Sequence, residues 1–309
     1  MSLVSFGSVN MDLVARTPRL PQPGETILGT AFDTFPGGKG ANQAVAAARL
    51  GASVSMLGRV GQDAFGQSLR DHLTQCGVRC DRLLSDPHVH SGVAMIAVDQ
   101  AGENHIIVIP GANGQIDRSD VDGLGTMVAE TSHLLLQLEI PLDAVVAAAQ
   151  VAKAAQITVI LDPAPAQAEL PTDLYTCVDI LTPNQTEAAQ LVGFPVVDRE
   201  SAIRAGQILH QRGIPTVILK LGGAGCIAIT ATGILDIPPF PVDVVDTVAA
   251  GDAFNGALAV ALSEGRSLQE SLVWASATGA LAVTQAGAQS AMPTRSAVEA
   301  LIHQHHCDR

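Results

Sequence analysis

Val245-Asp246-Thr247-Val248-Ala249-Ala250-Gly251-Asp252-Ala253-Phe254-Asn255-Gly256 sets a glycine turn and a carboxylate at the mouth of an apolar helix. Gly251 leaves no side chain between its N–H and an incoming phosphate. The periodic run 253–262 predicts a helix whose N-terminus faces that anion. Asp252, on the first turn, then reaches a substrate hydroxyl and can accept its proton as the oxygen attacks the terminal phosphorus of ATP. The segment reads as a phosphoryl-transfer site with Asp252 as base. An Asp beside a Gly is also an ordinary helix cap, and the segment alone leaves that alternative open.

Outward from this turn, short apolar runs at 4–6, 54–57, 134–138, 159–161, 180–181 and 217–219 alternate with helical patterns at 41–50, 65–76, 143–155, 187–192 and 201–212. That order predicts an α/β fold: a mostly parallel central sheet with helices on both faces and ligands at the carboxyl ends of the strands. No linker or internal repeat divides the chain, so residues 1–309 read as a single domain. Two regions break the alternation. One is about 12–35, carrying Pro18, Pro21 and Pro23; the other is about 89–108, where 92–98 and 105–108 flank Asp99-Gln100-Ala101-Gly102 as a hairpin. Neither has an adjacent helix, so together they predict a small antiparallel sheet projecting as a lid, whose exposed face invites a homodimer.

Composition narrows the partners. A formal net charge of -13 opposes binding to nucleic acid or an anionic membrane, and 3% aromatic residues leave little for a stacking platform. No stretch approaches the ~18 apolar residues of a membrane span, and residues 1–9 lack a basic lead into a hydrophobic run, so a cytoplasmic protein with a small-molecule partner is expected. The five cysteines are odd in number and scattered, which predicts reduced thiols rather than a disulfide framework or zinc site. His303-Gln304-His305-His306-Cys307 holds ligand types, but a solvated tail is the expected reading.

Further polar sets follow successive strands. Asn10 and Asp12 are two apart, on one side of an extended chain, where an amide and a carboxylate can grip vicinal hydroxyls; a plain turn is the alternative. Gly37-Gly38-Lys39-Gly40-Ala41-Asn42 opens a helix with donors at Lys39 and Asn42, without the spacing of a Walker A loop. Gln137-Leu138-Glu139 brings a third polar contact to the same edge. Asn184 and Glu187 lie one helical turn apart and suit a phosphate and a water-mediated Mg²⁺, or simply a capping box. Lys220-Leu221-Gly222-Gly223-Ala224-Gly225 is a glycine turn able to lie beside nucleotide. A substrate set comes early, a nucleotide set late, and an acid joins them.

These stretches resemble the PfkB family of carbohydrate kinases across nearly the whole chain, ending in Ala282-Val283-Thr284-Gln285-Ala286-Gly287-Ala288-Gln289, with the greatest likeness to members that phosphorylate ribose. The resemblance implies an α/β core with a β-sheet lid that pairs subunits, and transfer from ATP to the 5-hydroxyl of D-ribose. Deoxyribose, fructose or a nucleoside are alternative acceptors, and a non-catalytic sensor is the reading of another class. By likeness, Asn10, Asp12, Gly38, Lys39, Asn42 and Glu139 contact sugar together with the base Asp252. Ala249, Ala250 and Gly251 form an anion hole, while Asn184, Lys220, Gly222, Gly225, Gly251 and Ser276 contact ATP. Glu187 is associated with Mg²⁺. A monovalent cation, usually K⁺, is expected at Asp246, Val248, Ala282, Gln285, Gly287 and Ala291. Ala291 stands where a serine is frequent, Ala253 where Thr is frequent, Asp162 where Asn is common and Gln185 where Glu is common.

Overall fold

Alternating apolar side chains on short strands feed two separate cores, one under each face of a central sheet. The computed structural model describes residues 2–307, and the side chains of His306 and Cys307 lie outside the described residues. The expectation for the His303–Cys307 tail therefore falls partly outside them.

In chain order the elements are β1 (Ser2–Phe6), β2 (Asn10–Arg16), β3 (Ala31–Gly37), α1 (Lys39–Arg49), β4 (Val54–Gly61), α2 (Ala64–Gln75), β5 (Arg79–Asp86), β6 (Gly92–Val98) and β7 (Asn104–Ile109). Then come α3 (Arg118–Gly125), β8 (Thr131–Leu136), α4 (Leu142–Ala154), β9 (Thr158–Leu161), α5 (Thr172–Cys177), β10 (Ile180–Leu181), α6 (Gln185–Val192) and α7 (Arg199–Gln211). The chain closes with β11 (Thr216–Lys220), β12 (Cys226–Thr230), β13 (Gly233–Ile237), α8 (Ala250–Ser263), α9 (Leu268–Ala282) and α10 (Arg295–Cys307).

The main sheet has nine strands in the order β13-β12-β11-β10-β9-β8-β1-β4-β5, parallel from β5 to β11, with β12 and β13 antiparallel at one edge. Leu3, Leu135, Ile160 and Ile218 face a core shared with Ala44, Leu69, Leu258 and Leu272 on α1, α2, α8 and α9. Val4, Phe6, Leu134, Leu136 and Val217 face the opposite core with Leu124, Val145, Leu191 and Leu209 on α3, α4, α6 and α7. The period-2 alternation along each strand divides its residues between the two layers.

The second sheet has the order β3-β2-β6-β7. It was expected to be antiparallel and is mixed, because β2 pairs with β6 in parallel. Both strands continue outward from parallel strands of the main sheet, β2 from β1 and β6 from β5, so they leave it in the same sense. The hairpin β6–β7 is antiparallel as its turn residues predict. The apolar run 134–138 also ends earlier than its composition suggests. β8 stops at Leu136, whose O accepts from Asp162 N (2.9 Å), and Leu138 N donates to Ala164 O (2.8 Å), so Gln137 is released toward the sheet's open end. Among the described residues no helix is long and apolar enough to cross a membrane.

Candidate active site

The strand order reverses at β1: the chain steps from it to β4 and β5 on one side, and β8 to β11 lie on the other. The crevice outside the carboxyl ends at such a switch point is where open α/β sheets bind ligands. Here Ser8 and Asn10 follow β1, Gln137 and Glu139 follow β8, Asp162 follows β9, Asn184 follows β10, and Lys220 ends β11.

The early polar set converges on one carboxylate. Glu139 Oε2 accepts from Ser8 Oγ (2.5 Å), from the Lys39 N–H at the start of α1 (3.3 Å) and from Asn10 Nδ2 (3.4 Å). The chain enters α1 through Gly38 at φ 88, where an added Cβ would lie 2.7 Å from Asn10 N and 2.8 Å from Ser8 O. Only glycine gives both that left-handed conformation and that approach. Asp12 stands on the same side of β2 as Asn10. Burial first, then the neighbouring Glu139 and Asp252, push its carboxyl up to about 7 against the pull of Lys39. Burial alone lowers the Lys39 ammonium, but Asp252, Glu139, Asp162 and Glu187 reverse that and hold it above its ordinary value.

Asp252, 5% exposed, is on the first turn of α8. Its Oδ2 accepts from Asn42 Nδ2 (2.9 Å) and its Oδ1 from Gln43 Nε2 (3.1 Å). Burial raises its carboxyl to about 6, with Asp162 adding to the rise and Lys39, Asn42 and Gln43 opposing it. The helix is entered through Ala249 in the left-handed region (φ 58, ψ 12) with no side-chain cap. Among the described residues no protein group accepts from the N–H of Gly251 or Asp252. Free donors at the positive end of a helix are an anion site in waiting.

Asp252 also lines the end of a cavity of about 610 Å³. Asn184, Glu187, Lys220, Gly222, Gly225, Ala249, Ala250, Gly251 and Ser276 all line the same cavity, as does Lys39. Asn10, Asp12, Gly38, Asn42 and Glu139 are not among its lining, so the set expected to bind sugar reaches this cavity through Lys39 and Asp252. Lys220 Nζ donates to Asp162 Oδ1 (2.8 Å), and an added Cβ on Gly251 would sit 3.2 Å from that ammonium, so a cation and the bare amides share one spot. Asn184 and Glu187 form the capping box of α6: Asn184 Oδ1 accepts from Glu187 N (2.9 Å), and Glu187 Oε2 accepts from Asn184 N (2.7 Å). The pair caps α6 and also lines the cavity. Burial and the facing Asp162 raise the Glu187 carboxyl, with Lys220 opposing.

Along 1–295, residues that carry this geometry match the pfkB family carbohydrate kinases. The chain is a PfkB-family carbohydrate kinase. It is 40% identical to a ribokinase of Haemophilus influenzae over 294 residues, 95% of this chain and 96% of that relative. It is 35% identical to a deoxyribokinase of Salmonella typhi over 95% of this chain and 96% of the relative. The solved structure of Arabidopsis thaliana ribokinase complexed with ribose and ATP superposes with a TM-score of 0.90 at 35% identity, covering 97% of this chain and 98% of that one.

In this PfkB kinase Asp246 ties two loops together. Its Oδ1 accepts from Val248 N (3.0 Å) and its Oδ2 from Gly287 N (2.9 Å), while Val283 O accepts from Val245 N and Asp246 N. Ala282 and Ala291 are buried there, and Ser290 Oγ donates to Ala286 O (3.4 Å). The sequence did not single out Gln43, which links Asp252 to Asp162, or Asn113, whose Nδ2 donates to Asn10 Oδ1 (2.7 Å) and fixes that amide. It also missed the apolar wall Pro239, Phe240, Pro241 and Val242. Gln43 sits in an alanine-rich helix and Asn113 in a glycine turn, where a polar residue carries no signal of a distant partner.

Proposed function

We propose that this kinase transfers the γ-phosphoryl group of ATP to the 5-hydroxyl of D-ribose, giving ADP and ribose 5-phosphate. One observation carries the reading: Asp252 stands where the nucleotide cavity meets the polyol set of Asn10, Asp12 and Glu139, beside the unpartnered N–H groups that open α8. ATP occupies the cavity with its base near Ser276 and its phosphates toward Lys220, Asn184 and Gly251. Ribose lies between Asp12, Glu139, Lys39 and Asp252, its hydroxyls donating to carboxylates. Asp252 accepts the proton of the 5-hydroxyl as its oxygen attacks the γ-phosphorus in line. The Gly251 amides and Lys39 stabilise the charge on the transferring group, so catalysis is mostly positioning and electrostatics.

Asn42 was expected to grip sugar; in this reading its Nδ2 also holds the base. Glu187 fits a water-mediated Mg²⁺ because burial beside Asp162 leaves its negative charge poorly compensated. Among the described residues no cluster of three or more His, Cys, Asp or Glu suits a metal, so Mg²⁺ would draw its other ligands from phosphate and water. Bound there it neutralises phosphate charge. The loops joined by Asp246 fit a monovalent cation such as K⁺, with Asp246 and the carbonyls of Val248, Ala282, Gln285, Gly287 and Ala291 as holders; an alanine at 291 supplies no hydroxyl. The small sheet exposes Phe32, Met95 and Ile107 on one face, each more than half accessible, and this apolar surface supports a homodimer formed through the lids. A cytoplasmic setting fits the use of ATP.

A coupled assay of ADP formation with ribose, deoxyribose, fructose and a nucleoside tests the reading. Turnover highest with ribose is expected. Preference for another acceptor, or sugar binding without turnover, overturns it.

A further inference from the structure

Asp252 is gripped by two amides, and each of those amides is gripped by another. Asn42 donates to Oδ2, and its own Oδ1 accepts from Gln289 Nε2 (3.0 Å). Gln43 donates to Oδ1 and also to Asp162 Oδ2 (3.1 Å), and its Oε1 accepts from Gln137 Nε2 (2.7 Å). Asn42, Gln43, Gln137 and Gln289 are 6%, 0%, 0% and 2% exposed, so bulk water does not compete.

A carboxylate only accepts hydrogen bonds, so an amide facing it must present its NH₂ group. That requirement propagates outward. With their NH₂ groups committed, Asn42 and Gln43 turn oxygens to the outer glutamines, which must turn their own NH₂ groups inward. Both chains then end in an amide oxygen: Gln137 Oε1 and Gln289 Oε1 are buried without a hydrogen bond, and the Gln289 side chain lies against the His72 imidazole, a titratable group facing that end. Leaving such acceptors unpaired is unfavourable, and an apolar side chain of the same length would avoid it. The two costs lie at the far ends of the two chains that converge on the base.

We propose that Gln137 and Gln289 are positioning residues which, through Gln43 and Asn42, hold Asp252 as an oriented carboxylate. The inference rests on Asp252 being the base. Gln289 lies two residues past Gly287, whose N–H donates to Asp246, so the C-terminal loop carries one anchor of the catalytic group. Lys39 on α1 faces Asp252 as a cation, while Asp162 after β9 and Asp12 on β2 face it as anions. Glu139 and Glu187 act on Lys39, and Lys220 is paired to Asp162. Losing an outer glutamine frees the inner amide to rotate and removes a hydrogen bond from the charged form of the base, with all of these groups left in place.

The test is the pH profile of kcat/KM for ribose in full-length Gln137→Met and Gln289→Met, with thermal midpoints and an Asp252→Asn control. Each Met variant is expected to move the acid limb up by about one pH unit, a roughly tenfold loss of rate at a fixed pH below the limb. The KM for ATP stays unchanged and the thermal midpoint equals or exceeds that of the parent, because an orphaned oxygen is gone. A packing role alone would lower the midpoint and leave the limb in place, and that result overturns the proposal. Should a Met variant not fold, Gln137→Leu and Gln289→Leu remove the donor without adding a charge, so the same shift is expected. An Asp252→Asn enzyme with full activity would overturn the base assignment itself, whereas an inactive Asp252→Asn beside unmoved limbs would overturn only the role of the glutamines.

Discussion

Burial and charge pull Asp252 in opposite directions. Enclosure and Asp162 raise its carboxyl to about 6, while Lys39 and two amides resist the rise. A base with a value near the operating pH combines ionisation with proton affinity. kcat/KM should therefore rise with pH through about 6 as Asp252 ionises and on through about 7 as the ribose-holding Asp12 does. A rate profile flat across that region would exclude this carboxyl as the proton acceptor. Lys220 is next to Gly251 and paired with Asp162. Lys220→Met should raise the KM for ATP by roughly tenfold, the scale of one charged hydrogen bond, while ribose affinity measured by calorimetry stays unchanged.

At the scale of elements, α8 presents bare N–H groups at an entry that is strained. Ala249 holds a left-handed conformation that costs an L-residue about 1–2 kcal/mol, and this turns the chain so that the following N–H groups stand free. Ala249→Gly should stabilise the fold by about 0.5–1 kcal/mol in urea unfolding, the strain relieved less the extra flexibility of the unfolded glycine. A loss of stability would mean that the alanine methyl packs favourably there.

The same scale shows what could be read from sequence. Strands such as 159–161 and 217–219 were legible because apolar residues bounded by helical patterns admit few other placements in an α/β chain. β5 was not, since Arg79-Cys80-Asp81-Arg82-Leu83-Leu84-Ser85-Asp86 is an edge strand whose polar residues face solvent. Helix α9 has apolar residues around most of its circumference, being packed against α8, so it lacks the one-sided period that marks a surface helix. Residues expected to touch ligand such as Asn10, Glu139, Asn184 and Lys220 follow or end strands and could be found by position. Gln43, Gln137 and Gln289 act on other side chains far away in sequence, and spacing does not encode such pairings.

Across the whole molecule the site is a store of unmatched negative charge. Asp12 at about 7, Asp252 at about 6 and the raised Glu187 all bind protons more tightly when folded than in the ordinary carboxylate range. A raised folded-state value contributes stability at acid pH that is lost as pH rises through that value. Asp12→Asn should consequently make the ligand-free protein more stable than its parent above about pH 7, with the advantage fading toward acid; equal urea midpoints at both ends of the range would contradict it. The lid sheet makes a second claim at this scale. On the proposed pairing through the lids, the parent should sediment as a dimer and Ile107→Lys, in the middle of the exposed β7, as a monomer; an unchanged sedimentation coefficient would contradict that interface.

The most direct test follows phosphoryl transfer by phosphorus NMR in the parent and in Asp252→Asn, with ribose affinity measured alongside. The parent should convert ATP and ribose to ADP and a monoester at the 5-position in equal amounts, and Asp252→Asn should bind ribose as well while turning over slower by on the order of 10²-fold or more. An Asp252→Asn protein that transfers phosphate at the parent rate would contradict the account.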